Sequence, residues 1–366
     1  MTAANAALQD ELQDRASKRK AVLSPGARFR EASTIYLAKI EAKREDSTHA
    51  LYEQWLKTVI LPTLGELRLR ECDVAQMDAF FSDLEQRGYA ANTRRVLRAV
   101  VKGVLQQAVL HHAIASNPVP ELEQIESPKG QAIARPRGLT LEERRRFLTW
   151  MDGGCVEKVC TCEDPKVCHM QRVARGADLP DLIRFGLGTG LRISEICGLR
   201  VRDLDLDGVP VVADDDIRLV QVVTMAGNMA WVRGKGLVRH SGKTAAALRV
   251  IPLPEFVATR LTARLHGDED PNQPLFAAGG ADGQPTFRWP SNVRRSVRAV
   301  RTEVGLDWMT PHTWRRTYAT ILDDEMGFTD RMKADLMGQA RFLKDSYVSR
   351  GELHPDAAVV LDAALR

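Results

Sequence analysis

The spacing of the apolar residues changes along this chain, and the order of those changes is the tightest constraint on its fold. From residue 27 to about 118 the spacing is helical throughout. The segments ARFREASTIYLAKIEAKR, STHALYEQWLKTVILPTLG, VAQMDAFFSDLEQRG and NTRRVLRAVVKGVLQQAVLHHAI each carry one apolar stripe, and Gly88 closes the third as a C-terminal cap. Four such helices suit a small bundle-like domain. The stretch SNPVPELEQIESPKGQAIARPRG follows with four prolines and no period. Residues 119–137 read as an extended, partly stiff linker.

A second domain, residues 138–366, opens at LTLEERRRFLTWM, where Thr140 and Glu143 fit a capping box. The helical LPDLIRFGLG comes later. Between Asp203 and Pro254 the pattern turns to Val- and Ile-rich segments, IRLVQVVTM, MAWVRGKGLV and LRVIPLP, broken by Gly and Asn. These predict a small antiparallel sheet. Helical spacing returns after Pro254 and runs to the amphipathic HPDAAVVLDAALR. The fold class expected is mainly α with a small antiparallel β-sheet, in two domains. Residues 1–26 read as a frayed or helical lead-in.

The 366-residue length suits about two domains, and 44% hydrophobic with 27% charged residues is the ordinary range of a soluble protein. No run approaches the ~18 apolar residues of a membrane span. The N-terminal stretch has no apolar core of a signal peptide, so a cytoplasmic protein without membrane contact is expected. A net charge of +4 is too small to identify a nucleic-acid partner, so charge placement decides. Arg94, Arg98 and Lys102 fall four apart, with Arg95 adjacent; Arg294, Arg298 and Arg301 line a second helix, with Arg295 alongside. One stripe alone is as readily a solvated helix face. Two on linked domains point to a clamp on a polyanion, whose phosphates Lys and Arg neutralise.

GLGTGLRISEICGLR holds a single arginine, Arg192, after a glycine-spaced apolar run and before Ile193, Ile196 and Leu199. A half-buried guanidinium needs a partner, and the nearest carboxylate is Glu195, three residues on. Further along, HSGKTAAALRVIPLP puts Lys243 at a hairpin tip. TPHTWRRTYAT starts a helix at Thr310–Pro311 and sets His312 and Arg315 three apart. MGQARFLKDSYVSRG carries Tyr347. Singly, each has a plain reading: a helix cap for His312, a turn lysine for Lys243, a core ring for Tyr318.

In this order, the residues resemble the tyrosine recombinase (phage integrase) family over nearly the whole chain. The resemblance implies a helical, SAM-like core-binding domain at 27–118 and a catalytic domain at 138–366. It also implies strand cleavage by a tyrosine hydroxyl, giving a 3′-phosphotyrosyl link and a free 5′-hydroxyl with no cofactor required. By position Tyr347 is the nucleophile. Arg192 and Arg315 grip the scissile phosphate, for which the planar guanidinium fork is suited. Lys243 is the general acid, with Lys235 its rival. His312 assists proton movement or holds the phosphate, and Glu195 orients its neighbours. Gln339 stands where the family usually has His or Trp, and the stretch from Gly338 to Tyr347 is shorter than is common. The implied partners are double-stranded DNA, a homotetramer on paired sites, and an accessory DNA-bending or directionality factor. The C-terminal helix docks on a neighbouring protomer or on its own domain. Two alternatives share parts of this pattern: a type IB topoisomerase and a catalytically weak DNA-binding regulator.

A Cys-rich insertion at about 152–170 interrupts the catalytic domain. Cys155, Cys160, Cys162, Cys168 and His169 offer up to five soft ligands for a structural zinc. The spacing is not the paired C-x-x-C of zinc ribbons. Reduced thiols without metal are the plain alternative, and an iron–sulfur or redox role is a third.

Overall fold

In the first helices, local capping and apolar spacing agree. The computed structural model describes residues 23–126, 136–155, 162–213, 216–232, 234–240, 248–280, 282–324, 327–338 and 353–365. The lead-in expected over residues 1–26 therefore lies almost wholly outside the described residues. Contacts divide the chain into two units, residues 1–133 with 231–234, and residues 134–230 with 235–366.

In the first unit, α1 (Phe29–Lys43) buries Phe29, Ala32, Tyr36 and Ile40 along one face. α2 (Asp46–Trp55) continues through a π-turn at Leu56–Ile60 into Leu61–Leu64. The widened turn falls where Pro62 removes a backbone donor. α3 (Val74–Gln86) starts on Asp73, whose carboxylate accepts the Gln76 N–H at 2.8 Å. It ends at Gly88, which takes φ +79° as a C-terminal cap does. α4 (Ala91–Leu110) buries Leu97, Val100, Val101, Val104, Leu105 and Ala108, the stripe of a 3.6-residue period. At Gly103 the ring of Tyr36 lies where a Cβ would stand.

The segment after Pro118 does not leave this unit at once. Val119 is fully buried in its core, and Leu122 and Ile125 pack against it. Arg98 donates to the carbonyls of Val119 and Leu122 at 2.9 and 2.7 Å. Three apolar residues find the core despite the surrounding prolines.

In the second unit, α5 (Leu141–Asp152) opens on the expected capping box: the Glu143 N–H donates to Thr140 Oγ1 at 3.2 Å and the Thr140 N–H to Glu143 Oε2 at 2.9 Å. α6 (Pro165–Gly176), α7 (Leu179–Thr189) and the single turn α8 (Ile193–Ile196) follow. The strands are β1 (Leu204–Ala213), β2 (Asp216–Met225), β3 (Asn228–Val232), β4 (Gly236–His240) and β5 (Arg249–Pro252). β1, β2 and β5 form one antiparallel sheet in that order, with Val223 opposite Leu204 on one side and Ile251 on the other. β1 was not expected from the sequence. Its LDLDGVPVVA carries two acids, a glycine at φ +94° and a proline, and its register shifts between Asp205 and Val209. Leu204 and Leu206 still pack against the core.

α9 (Glu255–Arg264) follows, then a short hairpin of β6 (Ala277–Gly279) and β7 (Pro285–Phe287). α10 (Pro290–Arg301), α11 (Pro311–Asp324), α12 (Asp330–Met337) and α13 (Asp356–Leu365) complete the order. Trp314 and Tyr318 of α11, fully buried, join Phe185 of α7 in the core. α13 packs on its own unit: Ala357, Leu361 and Leu365 are buried, and Asp362 Oδ1 accepts the Phe256 N–H at 2.9 Å. No helix among the described residues is long and apolar enough to cross a membrane.

Candidate active site

Two of the glycines ahead of Arg192, Gly186 and Gly190, are there because α11 comes too close for side chains. A Cβ on Gly186 would stand 2.6 Å from the Trp314 ring, and one on Gly190 would stand 2.5 Å from Tyr318. Gly190 also takes φ +63° and closes α7, donating to the Gly186 carbonyl at 3.0 Å. The chain then turns, and Arg192 becomes the N-cap of α8. Its N–H donates to Glu195 Oε2 at 2.8 Å, and its guanidinium to Glu195 Oε1 at 2.9 Å.

Glu195 serves a second arginine. Arg249, at the start of β5, donates to Glu195 Oε2 at 3.1 Å and to the Leu336 carbonyl at 2.9 Å. Burial alone would raise the Glu195 carboxyl. The Arg249 charge, the Arg192 N–H and the Arg192 charge outweigh it and hold the group below its ordinary value. The sequence reading missed Arg249. Its signal was the one used for Arg192: a lone charge in an apolar segment, LRVIPLP.

Arg315 lies on α11, 2% exposed, donating to the Gly190 carbonyl at 2.8 Å and to the Met337 carbonyl. Burial first, and then the nearby Arg192 charge, push it down to about 10. It therefore stays cationic at neutral pH. His312, one turn ahead, is lowered by burial and by the charges of Arg316, Arg315 and Arg192, so its neutral form dominates at pH 7. Glu195 thus pairs with Arg192 and Arg249, while the Arg315 charge stands near enough to be felt by its neighbours.

Arg192 and His312 open with Arg294, Arg298, Arg301 and Thr310 onto one cleft of 340 Å³. The second basic stripe thus converges on the Arg192–His312 site. Arg294, Arg295 and Arg298 are exposed, while Arg301 donates to the Met309 carbonyl at 2.6 Å. The first stripe is differently placed. Arg94 is 5% exposed and pairs with Glu85 at 2.6 Å, Arg98 is spent on backbone carbonyls, and Arg95 donates to the Ile125 carbonyl at 2.7 Å. Lys102 is exposed.

Lys243, Gln339 and Tyr347 lie outside the described residues. Lys235, the rival to Lys243, is exposed beside β4. Tyr318 is fully buried, and burial raises its hydroxyl above the ordinary phenol range, as a core ring and not a nucleophile requires. Of the five soft donors, the sulfurs of Cys155, Cys162 and Cys168 gather within 4.8 Å of one another. His169 is exposed and outside that group, and Cys160 lies outside the described residues.

Residues 169–341 match the phage integrase family. Among characterised proteins, the chain is 21% identical to a XerC-like tyrosine recombinase of Caldanaerobacter subterraneus over 82% of this chain and 73% of that one. It is 24% identical to the tyrosine recombinase XerA of Thermococcus kodakarensis over 71% of each. Among solved structures, the Tn1549 transposon integrase in complex with transposon right end DNA aligns at TM-score 0.63 and 20% identity, covering 84% of this chain and 91% of that one. A lambda integrase tetramer bound to a Holliday junction aligns at TM-score 0.54 and 15% identity, over 95% and 90%. The fold is that of the tyrosine recombinases. Residues 169–341 carry a phage integrase domain, and the activity these likenesses support is site-specific breakage and rejoining of DNA strands.

Proposed function

We propose that the chain recombines DNA at paired sites through a 3′-phosphotyrosyl intermediate, with the scissile phosphate seated over Arg192 and Arg315. The observation that carries this is the cleft lined by Arg192, Arg294, Arg298 and His312, with Arg192 held in place by Glu195. Such a site is poised for a phosphodiester.

In the reaction, the Tyr347 oxygen forms a bond to phosphorus and the bond to the 5′ oxygen breaks. The phenol proton leaves with help from neutral His312, and Lys243 protonates the departing 5′ oxygen. Gln339 donates to a non-bridging oxygen. Arg192 and Arg315 stabilise the charge on the pentacoordinate phosphorus, while Glu195 and Arg249 position Arg192. The phosphotyrosyl bond conserves the energy for rejoining, so the chemistry needs no cofactor. Arg294, Arg295, Arg298 and Arg301, together with Arg95 and Lys102, contact the DNA backbone; Arg94 and Arg98 act from within the helical unit. We infer that residues 27–118 and 138–366 grip duplex DNA jointly and that four copies act on two sites, as the lambda tetramer suggests by analogy. The reaction takes place in the cytoplasm, with an accessory DNA-bending or directionality factor setting its direction.

The test is a nicked suicide DNA substrate that traps the intermediate. The wild type is expected to give a covalent adduct, Tyr347→Phe none, and Arg192→Ala about 10²- to 10³-fold slower adduct formation. An adduct that survives Tyr347→Phe would falsify the assignment.

A further inference from the structure

The Cys-rich segment between α5 and α6 is not used by the chemistry proposed above, yet its described residues are tightly hydrogen-bonded. Cys155 lies three residues beyond the end of α5, and Cys168 lies in the opening turn of α6. We propose that Cys155, Cys162 and Cys168 bind one zinc ion as thiolates, clipping the segment between these helices to α6.

The geometry fits the ion. Two sulfurs about 2.3 Å from one tetrahedral zinc stand about 3.8 Å apart. Here the three sulfurs lie within 4.8 Å of one another, with Cys155 and Cys168 at 3.3 Å. Small side-chain movements bring all three onto one centre. Three thiolates with one solvent molecule would fill the four positions of a tetrahedral zinc.

The surroundings hold the sulfurs in place. The Cys155 N–H points at the Cys168 sulfur at 3.4 Å, the kind of outer hydrogen bond that stabilises a metal-bound thiolate. Cys168 stands near the N-terminus of α6, where negative charge is favoured. Arg175 donates to the carbonyls of Gly153 and Gly154 at 2.8 and 3.0 Å, fixing the strand that delivers Cys155. Gln171 donates to the Trp150 carbonyl at 3.0 Å and fills the space beside Gly153 and Gly154, where any Cβ would collide with it. Binding replaces three thiol protons with one divalent cation, so affinity rises with pH.

The experiment uses the full chain, purified under reducing conditions without added metal. Elemental analysis is expected to find close to one zinc per chain. After chelation, added Co²⁺ should give a thiolate-to-cobalt charge-transfer band that is lost or strongly weakened in Cys155→Ser and Cys162→Ser. The melting temperature should fall by several degrees on chelation and return with Zn²⁺. Should a serine variant fail to fold, alkylation of the wild type decides the matter: the three thiols should be protected with Zn²⁺ and react after chelation. Absence of zinc together with no cobalt band, or equal alkylation with and without Zn²⁺, overturns the proposal. So does a Cys155–Cys168 disulfide in the purified reduced protein.

Discussion

Glu195 is one buried carboxylate answering two arginines, so its removal has a size and a pH signature. Glu195→Gln removes the carboxylate that Arg192 and Arg249 both contact, a loss of about 3–5 kcal/mol in a urea melt at pH 7. The folded carboxyl titrates below its ordinary 4.5. Its contribution is therefore complete above that value and is lost as the pH falls through the lowered one. The stability gap between wild type and Glu195→Gln should be constant near neutrality and narrow only in acid. Tyr318 makes the opposite case. Its buried hydroxyl has no hydrogen-bond partner among the described residues. Tyr318→Phe should change stability by no more than about 1 kcal/mol and leave adduct formation on the suicide substrate intact. A Tyr318→Phe protein that folds but forms no adduct would move the nucleophile from Tyr347 to the core ring.

At the scale of elements, the site depends on how closely α7 meets α11. Gly190→Ala asks a non-glycine residue to take φ +63° and puts a methyl 2.5 Å from the Tyr318 ring. The expected loss is about 2–4 kcal/mol by guanidinium unfolding. Gly176→Ala, at the end of α6, meets nothing within 4 Å and should be neutral or slightly stabilising. Equal losses at both positions would mean that the packing argument is wrong. The helices, their caps at Thr140 and Gly88, and the strands β2 and β5 were legible because each is a local pattern. β1 was not. Its Gly208 and Pro210 break the alternation that Leu204 to Asp207 begins, and it is a strand because β2 offers it an antiparallel edge.

For the whole molecule, binding to DNA should weaken steeply with salt, since each neutralised phosphate releases counterions. Arg294→Ala and Arg298→Ala, exposed on the cleft, should each lower the slope of log affinity against log salt by about 1, read by fluorescence anisotropy on duplex DNA. Arg94→Ala should leave that slope unchanged and lower the melting temperature instead, because Arg94 is buried against Glu85. A reduced slope for Arg94→Ala would return that residue to the DNA-facing set.

Apart from β1, the order of helices and strands, their caps, the lone charge at Arg192 and the three-residue spacing of His312 and Arg315 follow from neighbours within a few residues, and the sequence alone determined them. Two stripes with the same four-residue spacing were equal candidates there. Their different fates were decided by tertiary structure. Arg94 meets Glu85 and Arg98 meets the carbonyls of Val119 and Leu122, whereas Arg294 and Arg298 are left on an open cleft with Arg192. A helical period says which residues share a face. What that face meets is set by distant chain, where a buried guanidinium must find its acceptors.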